Sequence, residues 1–221
     1  MEKTNKKPPL LRRPFKYTYF NATIILVIIN CLVFTVSYLF PRVYSYVRMY
    51  GALNYLVIDK YHFYWEFFTY MFIHSGISHL LFNMLSLLVF GIAVEKTIGS
   101  KEFILFYMLC GGIAGLFSYF VYKITGQFNV FLMGASGAIY SLIFCYAVLY
   151  PRNTIYVWGV VPLPSPLLVL IFTVIEIFSN FTGRDGVAHL THLFGFVAAG
   201  LYFIIRMGIH PIKVWKEAYG K

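Results

Sequence analysis

The amino-acid sequence predicts an all-α membrane protein with six transmembrane helices, and three observations lead to that fold class. Hydrophobic residues make up 60% of the 221 residues and charged residues only 12%, whereas soluble domains carry about a quarter charged residues. Apolar runs long enough to cross the hydrocarbon core of a bilayer recur along the chain. Basic residues concentrate at the two ends of the chain, outside those runs.

The apolar runs define one transmembrane domain, residues 20–207, between a basic N-terminal tail, residues 1–19, and a basic C-terminal tail, residues 208–221. No linker or internal repeat divides the domain. The six predicted helices cover approximately residues 20–40, 78–94, 103–122, 134–150, 166–180 and 187–207.

The distribution of charge predicts the orientation of these helices. If the N-terminus is cytoplasmic, the cytoplasmic segments contain both basic tails together with Lys96, Lys101 and Arg152. This agrees with the preference of Lys and Arg for cytoplasmic segments, and an even number of helices returns the C-terminus to the same side. We therefore interpret the net charge of +10 as attraction to membrane lipids and not to nucleic acid. Both termini are expected in the cytoplasm, and the compact six-helix form favours a prokaryotic plasma membrane.

The segment between the first two helices, residues 41–74, is too long for a simple turn and is rich in Tyr, Trp and Phe. Aromatic rings with a polar atom favour the headgroup level of a bilayer. Backbone polar groups at that depth must be paired internally. The pattern predicts an interfacial outer loop that is partly helical.

The first of three polar clusters lies at the start of the second helix and contains His74, His79 and Asn83. His79 and Asn83 are four residues apart and therefore share one helix face. A zinc site is the rival interpretation. However, the cluster lacks the His-Glu-x-x-His arrangement, and no carboxylate occurs between Glu66 and Glu95. We therefore expect no metal ion there.

The second cluster places Ser136 between Gly134 and Gly137 at the start of the fourth helix. A lone Gly-x-Ser-Gly motif is typical of helix packing in membranes. A serine at a helix N-terminus nevertheless has unpaired backbone N–H groups and the positive end of the helix dipole beside it. The fourth run has seventeen residues and a length of about 25 Å, which is less than the roughly 30 Å of a bilayer core. Ser136 is therefore expected below the outer surface.

The third cluster, His189 and His192, opens the sixth helix. Histidines in membrane helices often only hydrogen-bond to neighbouring helices, although either one could also act as a base. Alternating helix directions bring the starts of the second, fourth and sixth helices to the same side, so all three clusters are expected at similar depth. Glu176, in the fifth run, has no assigned role at this stage.

The combination of these motifs resembles the rhomboid family of intramembrane serine proteases. The matching pieces are His74-x4-His79-x3-Asn83, Gly134-Ala-Ser136-Gly137, and His192 followed by Gly195. They occur in the order typical of the family, and the resemblance covers nearly the whole chain. It implies a rhomboid-like bundle with the outer loop between helices one and two.

The resemblance implies a role for each matching residue. Ser136 would be the nucleophile and His192 its general base and acid, in a dyad without a carboxylate. His79, Asn83 and the backbone N–H of Ser136 would form the oxyanion hole, and Tyr140 would stack on the catalytic imidazole. Supporting positions would be Tyr140, Gly134, Gly137 and His74.

The choice of base depends on the spacing of small residues. The family pattern has glycine three residues after the catalytic histidine and a small residue seven after it. His192 satisfies this pattern with Gly195 and Ala199, whereas His189 does not. We therefore favour His192 and keep His189 as the alternative.

The resemblance implies a serine endopeptidase that needs no cofactor and cleaves transmembrane protein substrates near the outer leaflet. The fifth helix and the chain around residues 181–187 would form its gate. One alternative is a non-catalytic rhomboid relative that binds membrane proteins, although such relatives typically lack the serine or the histidine. The other is a small transporter or channel, in which polar residues would line a path through the bilayer. The chain departs from the family at Trp65-Glu66, where Trp-Arg is usual, and this leaves the internal salt bridges of the outer loop open.

Overall fold

The computed structural model describes residues 9–13, 15–157, 159–182 and 188–220, and most of them are helical. Parts of both predicted tails and residues 183–187 of the predicted gate lie outside the described residues. The helices are α1 (Ala22–Leu39), α2 (Pro41–Gly51), α3 (Tyr55–Tyr61), α4 (Glu66–Thr69), α5 (Ile77–Ser86), α6 (Ile92–Ile98), α7 (Ser100–Ile124), α8 (Ser136–Leu149), α9 (Ser165–Thr182), α10 (His189–Tyr202) and α11 (Pro211–Tyr219).

Five helical stretches in the described part of the chain are long and apolar enough to cross a membrane. They are Ala22–Leu39, Ile77–Ile98, Ser100–Ile124, Ser165–Thr182 and His189–Met207. A π-helical turn, Leu87–Gly91, joins α5 to α6, and a second one extends α10. The remaining predicted span, α8, is apolar but contains only 14 residues, which corresponds to about 21 Å.

The described chain is mostly helical, as predicted, but the sequence did not predict an antiparallel hairpin between α8 and α9 that pairs β1 (Thr154–Val157) with β2 (Val161–Pro164). The local signal is a short run of β-branched and aromatic residues in β1. It is followed by Gly159, whose φ of 73° suits a turn. A search for apolar runs of about twenty residues passes over strands of four.

The core is built around α8, which packs against α7, α9 and α10. Its closest approach is to α10, because a Cβ on Gly195 would lie only 2.2 Å from the carbonyl oxygen of Gly137. The hydroxyl of Ser141 donates a hydrogen bond of 2.8 Å to the carbonyl oxygen of Gly195 across the same crossing. This contact fixes the depth of the first turn of α10 against the first turn of α8.

The segment between the first two spans is a loop that is partly helical, since it contains α2, α3 and α4. It is joined to the segment before α8 by the paired backbones of Leu53 and Leu132. The carbonyl oxygen of Tyr70 accepts a hydrogen bond of 3.0 Å from the backbone N–H of Gly134. The Tyr70 hydroxyl donates one of 2.8 Å to the carbonyl oxygen of Gly111 on α7. The loop therefore holds the chain immediately before Ser136.

The side chains of Trp65 and Glu66 stabilise the loop through hydrogen bonds to its backbone. The indole N–H of Trp65 donates to the carbonyl oxygen of Tyr50 at 2.7 Å. Oε2 of Glu66 accepts from the backbone N–H of Asn54 at 3.1 Å. Glu66 is completely buried, so its carboxyl group is an inward-facing acceptor.

The described parts of both tails pack at the end of the bundle opposite the starts of α5, α8 and α10. Arg206 forms an ion pair of 2.8 Å with Glu102 and also donates to the carbonyl oxygen of Leu11 at 2.9 Å. The indole N–H of Trp215 on α11 donates to the carbonyl oxygen of Ala147, near the end of α8, at 2.8 Å.

Glu95 anchors the same end. Its carboxylate accepts hydrogen bonds from the backbone N–H groups of Ala22 at 2.6 Å and Thr23 at 2.8 Å. A carboxylate on the first N–H groups of a helix satisfies unpaired donors and complements the helix dipole. The end of α6 is thereby tied to the start of α1.

Candidate active site

Ser136 and His192 lie in the first turns of two helices that touch. Nε2 of His192 lies 2.8 Å from Oγ of Ser136, within hydrogen-bonding distance although 56 residues separate the two in sequence. Ser136 is the first residue of α8, and the first intrahelical bond there runs from the N–H of Ile139 to the carbonyl oxygen of Ala135. The N–H of Ser136 precedes that bond, so it can donate to a bound oxyanion.

Tyr140 lies one helical turn after Ser136 and supports the imidazole of His192. The two rings stack with centroids 4.2 Å apart and an interplanar angle of 12°. A parallel stack at this distance restricts rotation of the imidazole ring. Nε2 is thereby kept facing the serine.

His189 occupies a different position from His192, although both belong to the start of α10. Nδ1 of His189 lies 2.6 Å from Oε2 of Glu176 on α9, and its ring centroid is 6.4 Å from that of His192. Of the two candidate bases, the nitrogen beside Ser136 is that of His192.

His79 reaches the site beside Gly134. The backbone of Gly134 has a φ of 115°, and a Cβ there would lie 2.6 Å from Nε2 of the His79 ring. Nδ1 of His79 is 3.0 Å from the hydroxyl of Ser75. Glycine at position 134 is therefore required both by the backbone conformation and by the space that the His79 ring occupies.

Asn83 and His74 lie behind His79. The side-chain amide of Asn83 is buried and donates to the carbonyl oxygen of His79 at 2.8 Å, which leaves its second N–H for another acceptor. The His74 ring packs edge-on against His79, with centroids 5.1 Å apart. Burial, and then the neighbouring His79 imidazole, lower the pKa of His74 to about 3, so His74 is a neutral packing residue.

A cavity of about 710 Å³ opens over these residues. Its wall includes Ser136, His192, His189 and His79, together with apolar residues from the segment before α8. Polar groups of three helices thus converge on a concave site that also has apolar walls, an arrangement typical of binding sites.

Glu176 is the residue of the site to which the sequence assigned no role. It is 5% exposed and accepts a hydrogen bond from the hydroxyl of Tyr140 in addition to its contact with His189. Its Oε1 also lies 3.0 Å from Nδ1 of His192. A lone carboxylate in an apolar helix indicates that a partner is near, but the sequence does not show which partner.

Glu176, His189 and His192 could also hold a metal ion, because their ligand atoms all lie within 4.8 Å of one another. The sequence predicted no metal ion in the protein, and this group of possible ligands was not foreseen. One carboxylate and two imidazoles are a donor set that zinc accepts. In the structure, the Glu176 carboxylate contacts the imidazole of His189 directly at 2.6 Å.

The Rhomboid domain model matches residues 61–208, which is more than half of the chain. The chain belongs to the rhomboid family. With five helices long and apolar enough to span a bilayer in its described part, it is an integral membrane protein.

Several relatives carry rhomboid names. The chain is 32% identical over 149 residues to Rhomboid-related protein 1 of Caenorhabditis elegans, covering 63% of this chain and 38% of that protein. It is 31% identical over 133 residues to YdcA of Bacillus subtilis, covering 59% of this chain and 61% of that protein. It is 35% identical over 78 residues to the rhomboid protease GlpG of Salmonella newport, covering 35% of this chain and 26% of that protein. In each case the matched region is less than two thirds of the relative's length.

Proposed function

We propose that this rhomboid-family protein is an intramembrane serine endopeptidase with Ser136 as its nucleophile. The observation that carries the proposal is the 2.8 Å contact between Nε2 of His192 and Oγ of Ser136 at the N-terminus of a helix, beside His79. A hydroxyl within hydrogen-bonding reach of an imidazole is the arrangement that nucleophilic catalysis by serine requires.

In the first half of the reaction, Oγ of Ser136 attacks the carbonyl carbon of a substrate peptide bond while Nε2 of His192 takes its proton. The tetrahedral oxyanion is stabilised by the backbone N–H of Ser136 and by the His79 and Asn83 side chains. Collapse of this intermediate breaks the C–N bond, and the imidazolium gives its proton to the leaving amine.

In the second half, water attacks the acyl-enzyme and gives a proton to His192, which returns it to Oγ of Ser136. The acid product leaves and the starting state is restored. Tyr140 keeps the imidazole ring in place through both halves. The reaction uses no cofactor, because side chains supply nucleophile, base and oxyanion donors.

The substrates are transmembrane proteins whose spanning helix unwinds near the outer leaflet, since a helix protects its own carbonyl groups. In this proposal α8 is the fourth of six spans, and its shortness recesses Ser136. The outer loop lies at the interface among lipids, and both termini are cytoplasmic in a prokaryotic plasma membrane. The entrance for substrate lies at α9, whose neighbour α10 carries His192.

Reconstitution in liposomes with a single-span substrate tests the proposal. We expect the purified protein to release two products of defined mass, and Ser136→Ala to reduce cleavage by about 10³-fold or more. Ser45→Ala is the matched control, because Ser45 is exposed and bonds only to the backbone of its own helix. Equal cleavage by Ser136→Ala and the control would contradict the proposal. Substrate binding without any cleavage by the unsubstituted protein would instead favour a non-catalytic binding factor.

A further inference from the structure

We propose that Glu176 is the third member of a Ser136–His192–Glu176 triad, in which the carboxylate positions the His192 imidazole and stabilises its protonated form. The inference rests on the proposed protease function and deepens it, because the family resemblance implied a dyad without a carboxylate. Glu176 touches neither substrate nor Ser136, so it is a positioning residue.

The first observation is the order of groups along one line of contacts. Oγ of Ser136 is 2.8 Å from Nε2 of His192, and Nδ1 on the opposite side of the same ring is 3.0 Å from Oε1 of Glu176. For Nε2 to accept the serine proton, a neutral imidazole must carry its own proton on Nδ1. A carboxylate beside Nδ1 favours that tautomer.

The angle between Nδ1 of His192 and Oε1 of Glu176 limits how much this contact stabilises the neutral imidazole. Nδ1 of His192 lacks a well-aligned hydrogen bond within the described residues, so its proton is close to the carboxylate without pointing straight at it. Attraction between a carboxylate and an imidazolium depends on distance more than on angle. We therefore propose that the Glu176 carboxylate stabilises His192 mainly when the imidazole is protonated during the reaction.

The second observation is how Glu176 itself is held. Tyr140, which stacks on His192, donates its hydroxyl proton to Oε1, and His189 approaches Oε2 at 2.6 Å. Each carboxylate oxygen is thus fixed by a side chain of the site. A carboxylate that served only to fasten α9 to the bundle would not need to share a partner with the catalytic ring.

The third observation is burial. Glu176 and His192 are 5% and 8% exposed, and a buried charge is costly unless it is paired. The titratable groups around the His192 ring are Tyr140 on α8, Glu176 on α9, His189 on α10 and, across the cavity, His79 on α5. Glu176 is the one carboxyl group in this set, so it supplies the negative charge that can balance an imidazolium.

Steady-state kinetics on reconstituted Glu176→Gln and Glu176→Asp test the inference. We expect Glu176→Gln to lower kcat by about 10- to 10³-fold with KM changed less than about threefold. In a soluble serine protease the corresponding carboxylate-to-amide change costs about 10⁴, and here the Tyr140 stack persists. Glu176→Asp should recover at least tenfold of the loss, because it restores the charge. Glu102→Gln, which alters another buried carboxylate far from the site, should keep the unsubstituted kcat.

Three results would overturn the inference. A kcat within twofold of the unsubstituted protein for Glu176→Gln would make the carboxylate only structural. An equally large loss in Glu176→Asp and Glu176→Gln would show that charge is not what matters. Loss of activity on EDTA treatment with recovery on adding Zn²⁺ would make Glu176 a metal ligand. If Glu176→Gln does not fold, Glu176→Ala takes its place, and a kcat within twofold of the unsubstituted protein would again count against the triad. Absence of cleavage by the unsubstituted protein would instead refute the proposed protease function.

Discussion

Two buried titratable side chains of the loop between α1 and α5, Glu66 and His74, lie outside the spanning helices. Neither has an ion-pair partner within the described part of the chain, so burial disfavours its charged form. Burial raises the pKa of Glu66 to about 7, partly offset by the N–H of Asn54, and lowers that of His74 to about 3. Both groups therefore make the stability of the loop depend on pH, in opposite directions.

For Glu66 the sign follows from proton binding. Its pKa in the folded protein exceeds the ordinary value of 4.5, so between pH 4.5 and about 7 the folded state holds a proton that the unfolded state has lost. Stability therefore falls as pH rises through this window. We expect Glu66→Gln to be more stable than the unsubstituted protein at pH 8, by at most about 3.5 kcal/mol, at about 1.4 kcal/mol per pKa unit.

Thermal unfolding in detergent at pH 5 and pH 8 measures this effect. The stability difference between Glu66→Gln and the unsubstituted protein should grow from pH 5 to pH 8, and taking the difference removes the contribution of His74. Glu217→Gln is the control, because Glu217 is largely exposed on α11. A difference that stays constant with pH would mean that Glu66 is ionised in the folded loop.

At the scale of elements, the crossing of α8 and α10 determines the relation between the serine and the base. Gly195 lies one turn after His192 and contacts the backbone of Gly137, one residue after Ser136. Because the contact is with a carbonyl oxygen, a side chain at position 195 can be accommodated only if a helix moves. Helix packing and the contact between Ser136 and His192 are therefore coupled at this point.

Gly195→Ala is expected to destabilise the protein by about 1–3 kcal/mol and to lower activity at temperatures where the protein is still folded. The same substitution at Gly200 on α10 is the matched control, since its Cβ would meet only the Phe144 ring at 3.7 Å. Gly200→Ala should be neutral or slightly stabilising, because alanine is favoured over glycine in helices. Unfolding midpoints that fall equally in both variants would contradict the importance of the crossing.

The helices were predictable because long apolar runs leave few alternatives in a membrane. Five of the predicted runs correspond to helices long enough to span, with ends shifted by a few residues; α7, for instance, begins three residues earlier than predicted. That shift includes Glu102, whose charge ends an apolar run but is paired with Arg206 in the fold. The β hairpin was not predicted, because its short strands are stabilised by pairing with each other and not by a long apolar run.

The residues of the candidate site also differ in how far the sequence predicted them. Ser136, His79 and His192 were predictable from motifs within single helices and from the alternation of helix directions. Glu176 was not, because its three partners belong to α8 and α10, and its significance depends on which face of α9 meets them. A run of apolar residues around one carboxylate does not reveal that face.

On the scale of the whole molecule, the two ends of the bundle have different compositions. One end carries both tails, the Arg206–Glu102 pair and the Glu95 cap, which together fasten the termini to the helices. The other carries the cavity, with Ser136 and His192 in the first turns of neighbouring helices.

The most direct measurement is the covalent labelling of Ser136 by a fluorophosphonate, mapped by mass spectrometry of peptides from the reconstituted protein. We expect one phosphonylated site, Ser136, in the unsubstituted protein. Labelling should fall by about 10²-fold or more in His192→Ala, because general-base assistance is lost, but remain within about tenfold in His189→Ala. Labelling of another serine, or loss of labelling in His189→Ala with retention in His192→Ala, would contradict the pairing of Ser136 with His192.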